Sequence, residues 1–140
     1  MIWLPDSIIY AGGLFSGIIC LESATYYHRI SDFPPRPLMI YSEYPEILRA
    51  GYCIYIPVAS VNYEHTIHLA NKLYVTDVYR TICDLIQFER GDDIVYQCME
   101  RFPDKCVLSD LLTYAAERGL DEKVKYYRDT CENYYQTLQY

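Results

Sequence analysis

The 140-residue sequence has little that would direct it to nucleic acid or to a membrane. Lys and Arg total 12 against 19 Asp and Glu, for a net charge of −7, and the basic residues form no patch. DNA- and RNA-binding domains usually carry such a patch, so this composition favours a basic protein surface as partner instead. The apolar run Leu14–Leu21 is too short to span a bilayer.

Targeting and redox signals are equally scarce. The first basic residue is Arg29, and Asp6 interrupts the early apolar stretch, so no secretory signal is expected. The six cysteines are far apart and include no CxxC pair. We therefore predict free, buried thiols in a cytoplasmic protein rather than a disulfide framework.

Motifs of catalysis and cofactor binding are missing too. No P-loop, nucleophile elbow or dinucleotide fingerprint occurs. The nearest approach to a metal cluster is His65 and His68 beside Glu64, but residues three apart on a strand point to opposite faces. We predict no catalytic residue, cofactor or metal. An enzyme remains the alternative, and it would require Asp84, one of these histidines and a further carboxylate to meet in one cleft.

Tyrosine is abundant, at 17 residues, and it suits half-buried positions and interfaces. Local patterns predict one domain over 1–140, with an α/β portion over 1–74 and a helical portion over 75–140. Helices are predicted over Pro5–Ala11, Leu21–Arg29 and Tyr44–Arg49, and strands over Pro37–Ser42, Tyr52–Ala59 and within His65–Leu73. The close spacing of the last two strands favours antiparallel pairing. Pro57 indicates an edge or a strand end.

The helical portion has clear start and stop signals. Helices are predicted over Thr76–Phe88, Asp93–Phe102, within Leu108–Arg118 and from Asp121 to Tyr135 or beyond. Gly119 is a typical helix stop, and the acidic residues at helix starts are explained by capping. The fold class is therefore α+β, with a small mixed or antiparallel sheet. The last helix carries an apolar stripe that leaves a homodimer open: Leu120, Val124, Tyr127, Cys131, Tyr134 and Leu138.

The segment Val75–Phe88 is the most informative part of the chain. Thr76 can cap this amphipathic helix, and Asp77 places negative charge in its first turn. Arg80, Thr81 and Asp84 lie opposite the apolar stripe. One interpretation is a solvated face with a weak ion pair. The other is architectural: Arg80 and Asp84 tie the helix to the α/β half, through the helix start near Ser23.

Two stretches, in order, carry a resemblance to a known family. The first, Gly17–Pro35, is an apolar lead into a helix with Ser-Ala, followed by a polar turn and proline. The second is the Arg-Thr-x-x-Asp-Leu pattern of the helix described above. The motif residues are Ser23, Ala24, Arg80, Thr81, Asp84 and Leu85. Together they resemble the C-terminal, non-DNA-binding portion of AbiEi-type antitoxins and their transcriptional-regulator relatives, over roughly Ile18 to Gly119.

The resemblance implies a cytoplasmic antitoxin that neutralises a nucleotidyltransferase-type toxin. Members with an N-terminal winged helix also repress their own operon, but no winged helix is expected here and no DNA-reading residue carries over. Tyr79 stands where the family often has Glu. The expected function is a non-enzymatic interaction module. The alternatives are a small nuclease-like or other enzyme, and a homodimeric structural or regulatory module.

Overall fold

The structure is a computed structural model that describes residues 17–33, 38–43, 53–70 and 72–138. The helices predicted over Pro5–Ala11 and Tyr44–Arg49 lie outside these residues. Within them the chain forms a five-stranded sheet followed by a series of helices, which confirms the α+β class.

The sheet is mixed. Its strands are β1 (Gly17–Ile19), β2 (Leu38–Ser42), β3 (Cys53–Pro57), β4 (Thr66–Ala70) and β5 (Leu73–Thr76). Their spatial order is β3-β2-β1-β5-β4. The β1–β2 and β4–β5 pairs are antiparallel, and the β1–β5 and β2–β3 pairs are parallel. The shortest strand, β1, therefore lies at the centre.

Two strands were missed by the sequence-based prediction, β1 and β5. Ile18 and Ile19 are successive residues of β1, and both are fully buried, because the two faces of the sheet each support a core cluster. A strand buried on both faces lacks the apolar–polar alternation that marks a strand in a sequence. Gly17 is needed at the start of β1, since a Cβ there would collide with the Tyr41 carbonyl.

The predicted antiparallel pairing of the second and third strands is wrong. β3 pairs in parallel with β2, whereas β4 pairs with β5 at the other side of the sheet. Closeness along the chain was a misleading guide because β2, β1 and β5 all lie between β3 and β4 in the sheet. The interpretation of Pro57 is confirmed. It ends β3, which is an edge strand of the sheet within the described ranges.

The helices match the prediction closely. They are α1 (Leu21–Tyr27), α2 (Val78–Gln87), α3 (Asp92–Glu100), α4 (Leu108–Glu117) and α5 (Asp121–Leu138). The predicted cap of α2 is corrected: Thr76 belongs to β5, and Asp77 is the cap, accepting a hydrogen bond from the Arg80 backbone N–H at 2.8 Å. Gly119 follows α4 with a φ of +70°, as expected of a helix stop.

The described cysteines are free, as predicted, but only Cys20, Cys83 and Cys98 are buried, whereas Cys106 and Cys131 are partly buried. Burial raises the pKa of the Cys83 thiol to about 12, which disfavours the nucleophilic thiolate form. None of the described helices is both long enough and apolar enough to cross a membrane.

Candidate functional site

The polar face of α2 is buried. Thr81 is fully buried, Asp84 is 3% exposed, and the side chain of Arg80 is 11% exposed. The interpretation of this face as solvated is therefore wrong. Loop residues that follow β3 and the end of α4 cover it, and neither is close to α2 in the sequence.

The Asp84 carboxylate contacts three side chains from different elements, through one hydrogen bond and two ion pairs. The Tyr41 hydroxyl on β2 donates to Oδ2 at 3.0 Å, and Arg118 Nη1, just after α4, lies 2.7 Å from Oδ1. Arg80 Nε lies 3.5 Å from Oδ2. We call Tyr41, Arg80, Asp84 and Arg118 the Asp84 cluster. It joins the sheet, α2 and α4 through one carboxylate.

Arg80 extends the Asp84 cluster to the loop between β3 and β4. Its Nη1 donates to the backbone carbonyls of Asn62 at 2.5 Å and Glu64 at 2.9 Å. Its guanidinium also lies 5.6 Å from the centre of the Tyr41 ring, within cation–π range. The expected tie between α2 and the α/β half is thus present. It runs through β2 and this loop, and not through Ser23.

The motif residues of α1 have a different place. The Ser23 hydroxyl accepts a hydrogen bond from the Met39 backbone N–H at 2.9 Å, which anchors α1 to β2. Ala24 is fully buried in the core cluster on the face of the sheet opposite the Asp84 cluster. The link from α1 to the end of α2 is instead Glu22 with Arg90, two parallel bonds of 2.8 Å. That pair, 68 residues apart, had no signal in the sequence.

The remaining motif residues, Thr81 and Leu85, hold α2 in place. The Thr81 hydroxyl donates to the Asp77 carbonyl at 2.6 Å. The Thr76 hydroxyl lies 2.6 Å from the Thr81 hydroxyl. Leu85 is fully buried in the main core. Thr81 therefore connects the end of β5 with the first turn of α2.

The pKa shifts in the Asp84 cluster favour the protonation states that its hydrogen bond and ion pairs require. Burial, with the nearby Asp84 carboxylate adding to it, raises the pKa of Tyr41 well above its usual value, so it stays a neutral donor. Burial alone would lower the pKa of Arg118, but Asp84 raises it overall. All four residues of the Asp84 cluster line a cavity of about 380 Å³.

The histidines do not join Asp84 in that cavity. His65 Nδ1 lies 2.7 Å from Asp77 Oδ2, and its ring stacks on Tyr114 with centroids 4.0 Å apart. The His68 ring lies against Tyr74 at 4.8 Å. Neither histidine lines the cavity. Among the described residues, no three His, Cys, Asp or Glu side chains are grouped as a metal site would require.

A second cavity, of about 510 Å³, lies where the end of α2 meets the starts of α3 and α5. We call it the acidic groove. It combines apolar, aromatic and charged side chains: Leu85, Ile86, Glu89, Asp92, Glu122, Lys123, Tyr126 and Tyr127. From the sequence, the acidic residues at the starts of α3 and α5 were explained by helix capping alone. The groove could not be predicted, because its walls come from three helices.

Comparisons with known proteins add no family. No protein-family model matches this chain, and no curated protein is significantly similar to it. The relation to AbiEi-type antitoxins therefore stays a prediction that depends on the two sequence stretches.

Proposed function

We propose that the chain is a non-enzymatic interaction module of the AbiEi antitoxin type. It would neutralise or regulate a nucleotidyltransferase-type toxin in the cytoplasm. The observation that carries the proposal is that the motif residues Arg80 and Asp84 make structural contacts within the chain. Arg80 and Asp84 are bonded to each other and to β2, α4 and the β3–β4 loop, as a scaffold requires.

A reactive carboxylate would need a base or a substrate position beside it. Asp84 lines a cavity, but both of its carboxylate oxygens are engaged by Tyr41 and Arg118, with Arg80 close by, and no described histidine lines that cavity as a base. The enzyme alternative is less well supported, since the histidine it requires is bonded to Asp77 away from this carboxylate.

The charge of the chain supports a basic protein partner. A nucleotidyltransferase that acts on nucleic acid needs a positively charged surface for its substrate. An acidic module with a net charge of −7 complements such a surface and speeds association with it. Occupying that surface would keep the substrate out.

The homodimer alternative has less support from the part of α5 that is described. Val124 is fully buried and Leu120 is 7% exposed, both in the chain's own core. Thr130 Oγ1 lies 2.8 Å from the Tyr96 hydroxyl, and the Cys131 thiol contacts the Tyr96 carbonyl at 3.6 Å. This face of α5 is already occupied by α3. Sedimentation as a monomer at high micromolar concentration would exclude the homodimer.

The proposal is tested by co-expression. The chain is expressed together with a nucleotidyltransferase-like protein encoded beside it, and growth is measured. We expect growth arrest by the toxin to be relieved and the two proteins to co-purify. Persistent arrest in the presence of folded chain would overturn the proposal. So would a native complex, isolated from the host, without a nucleotidyltransferase-like partner.

A further inference from the structure

We propose that the acidic groove is the docking site for a lysine- or arginine-bearing segment of the partner protein. This inference rests on the proposed function, because it names the chemistry by which an interaction module would hold its partner. The side chains of the Asp84 cluster already contact one another, so we expect the docking surface to lie elsewhere on the molecule.

The groove has the apolar and aromatic surface that a long basic side chain requires. Leu85 and Ile86 lie beneath it but are almost fully buried, so the accessible apolar surface is that of the Tyr126 and Tyr127 rings, with Tyr126 60% exposed. Lysine and arginine bury their aliphatic stems on apolar surface and place the cation near an aromatic ring. The rings of Tyr126 and Tyr127 provide both.

The aromatic wall is held in position from behind. The Tyr127 ring packs edge to face against Tyr126 at 5.7 Å and against Tyr96 at 5.2 Å. The Tyr127 hydroxyl donates to Asp92 Oδ1 at 2.5 Å, which orients that carboxylate at the rim. A preorganised wall of this kind reduces the entropy lost when a partner binds.

The rim complements a cation. It has three carboxylates, of Glu89, Asp92 and Glu122, and one lysine, Lys123, which gives a formal charge of −2. Lys125 lies 3.5 Å from Glu122, but the Glu122 side chain is 85% exposed, and ion pairs in such positions are weak. A partner's cation can therefore compete for this carboxylate.

Helix capping does not account for all three carboxylates. Asp92 and Glu122 lie in the first turns of α3 and α5, where the helix dipole favours an anion. Glu89 follows the C-terminal end of α2, where the dipole disfavours one, and its φ of +53° is a conformation that glycine adopts best. Helix capping and the helix dipole therefore do not explain the carboxylate at residue 89.

The test uses the full chain and a short amphipathic peptide of lysine and leucine, with a glutamate–leucine peptide of equal length as its counterpart. Binding is followed by fluorescence anisotropy at low and high salt. We expect the lysine peptide to bind and the glutamate peptide not to. Glu89→Gly and Glu122→Gln should each weaken binding about three-fold, and Tyr126→Ala by about five-fold.

The matched control is Glu100→Gln, which removes the same charge from the exposed end of α3, outside the groove. We expect it to leave peptide affinity unchanged. Circular dichroism checks that each variant is folded. If Glu100→Gln loses as much affinity as the groove variants, net charge alone explains the effect and the inference is overturned. Full affinity in all groove variants would overturn it as well.

Growth rescue by the same variants separates the two proposals. If the wild-type chain relieves toxin arrest and the groove variants fail while Glu100→Gln succeeds, both proposals stand. If the groove variants rescue as well as the wild-type chain, docking occurs elsewhere and only the inference fails. If the wild-type chain does not rescue, yet its groove binds the lysine peptide selectively, the proposed function fails and the groove remains a site for basic segments.

Discussion

The two cavities on either side of α2 use charge in opposite ways. In the Asp84 cluster, a carboxylate only 3% exposed is bonded to Tyr41 and Arg118, with Arg80 beside it. In the acidic groove, the Glu122 side chain is 85% exposed above an apolar floor. Buried charge with every partner inside the chain organises the fold. Exposed charge beside exposed aromatic surface contributes little to stability and is suited to binding.

The same helix supplies both sites. Asp84 lies on one side of α2, while the next two residues, Leu85 and Ile86, form the floor of the groove on the other. A helix turns by about 100° per residue, so neighbouring residues reach different environments. Substitutions in either cavity test this difference in the use of charge.

The largest effect is expected at Asp84. Asp84→Ala leaves Arg80 and Arg118 largely buried without their counter-charge, and removing one partner of a buried pair typically costs about 3–5 kcal/mol. We expect the free energy of unfolding, measured by urea denaturation, to fall by about that amount. The control Asp129→Ala breaks a surface pair with Arg128 and should change stability by less than about 0.5 kcal/mol. A similar small change at Asp84 would refute its architectural role.

A smaller effect, of opposite sign, is expected at Glu89. Its left-handed backbone conformation is unfavourable for any residue with a side chain, so Glu89→Gly should raise the free energy of unfolding by about 1 kcal/mol. The matched control is Arg29→Gly, since Arg29 has a φ of +60° after α1 and does not line the groove. Both should be stabilised in thermal denaturation, and only Glu89→Gly should lose peptide binding. Loss of stability in Glu89→Gly would assign the carboxylate a structural role.

His28, outside both cavities, is expected to make the stability of the fold depend on pH. Its Nε2 lies 2.7 Å from the Thr76 carbonyl, and burial lowers its pKa from the usual 6.5. Below about pH 6.5 the unfolded chain therefore binds a proton that the folded chain resists, so this contribution to stability is complete above that pH and is lost as pH falls. His28→Gln should make the stability curve flatter as the pH falls below about 6.5. Urea denaturation across this range measures it, and identical slopes for both proteins would contradict the assignment.

The smallest effect is expected in the groove. Glu122→Gln should alter the free energy of unfolding by less than about 0.5 kcal/mol, because the Glu122 side chain is largely in water. Urea denaturation of this variant beside Asp84→Ala is the most direct check of the contrast. A loss above about 1 kcal/mol would mean that the rim stabilises the fold and would end the distinction between the two cavities.

The helices of the C-terminal portion could be predicted from the sequence because helix start and stop signals are local. The apolar spacing and Gly119 placed α4 and the start of α5 within a residue of their observed bounds. β1 and β5 could not be predicted, because strands buried on both faces lack the alternation of apolar and polar residues that identifies a strand. The strand order was beyond prediction as well, because neighbours such as β1 and β5 are more than fifty residues apart.

The sequence by itself determined the class of the protein, the succession of its helices and its acidic character, all of which follow from local periodicity and composition. It also singled out Arg80, Thr81 and Asp84, but their spacing alone favoured an exposed face. Only the tertiary structure decided that they are buried. The partners of Asp84 are Tyr41 and Arg118, which lie far from it along the chain. Burial depends on what packs against a residue, and local sequence does not specify that packing.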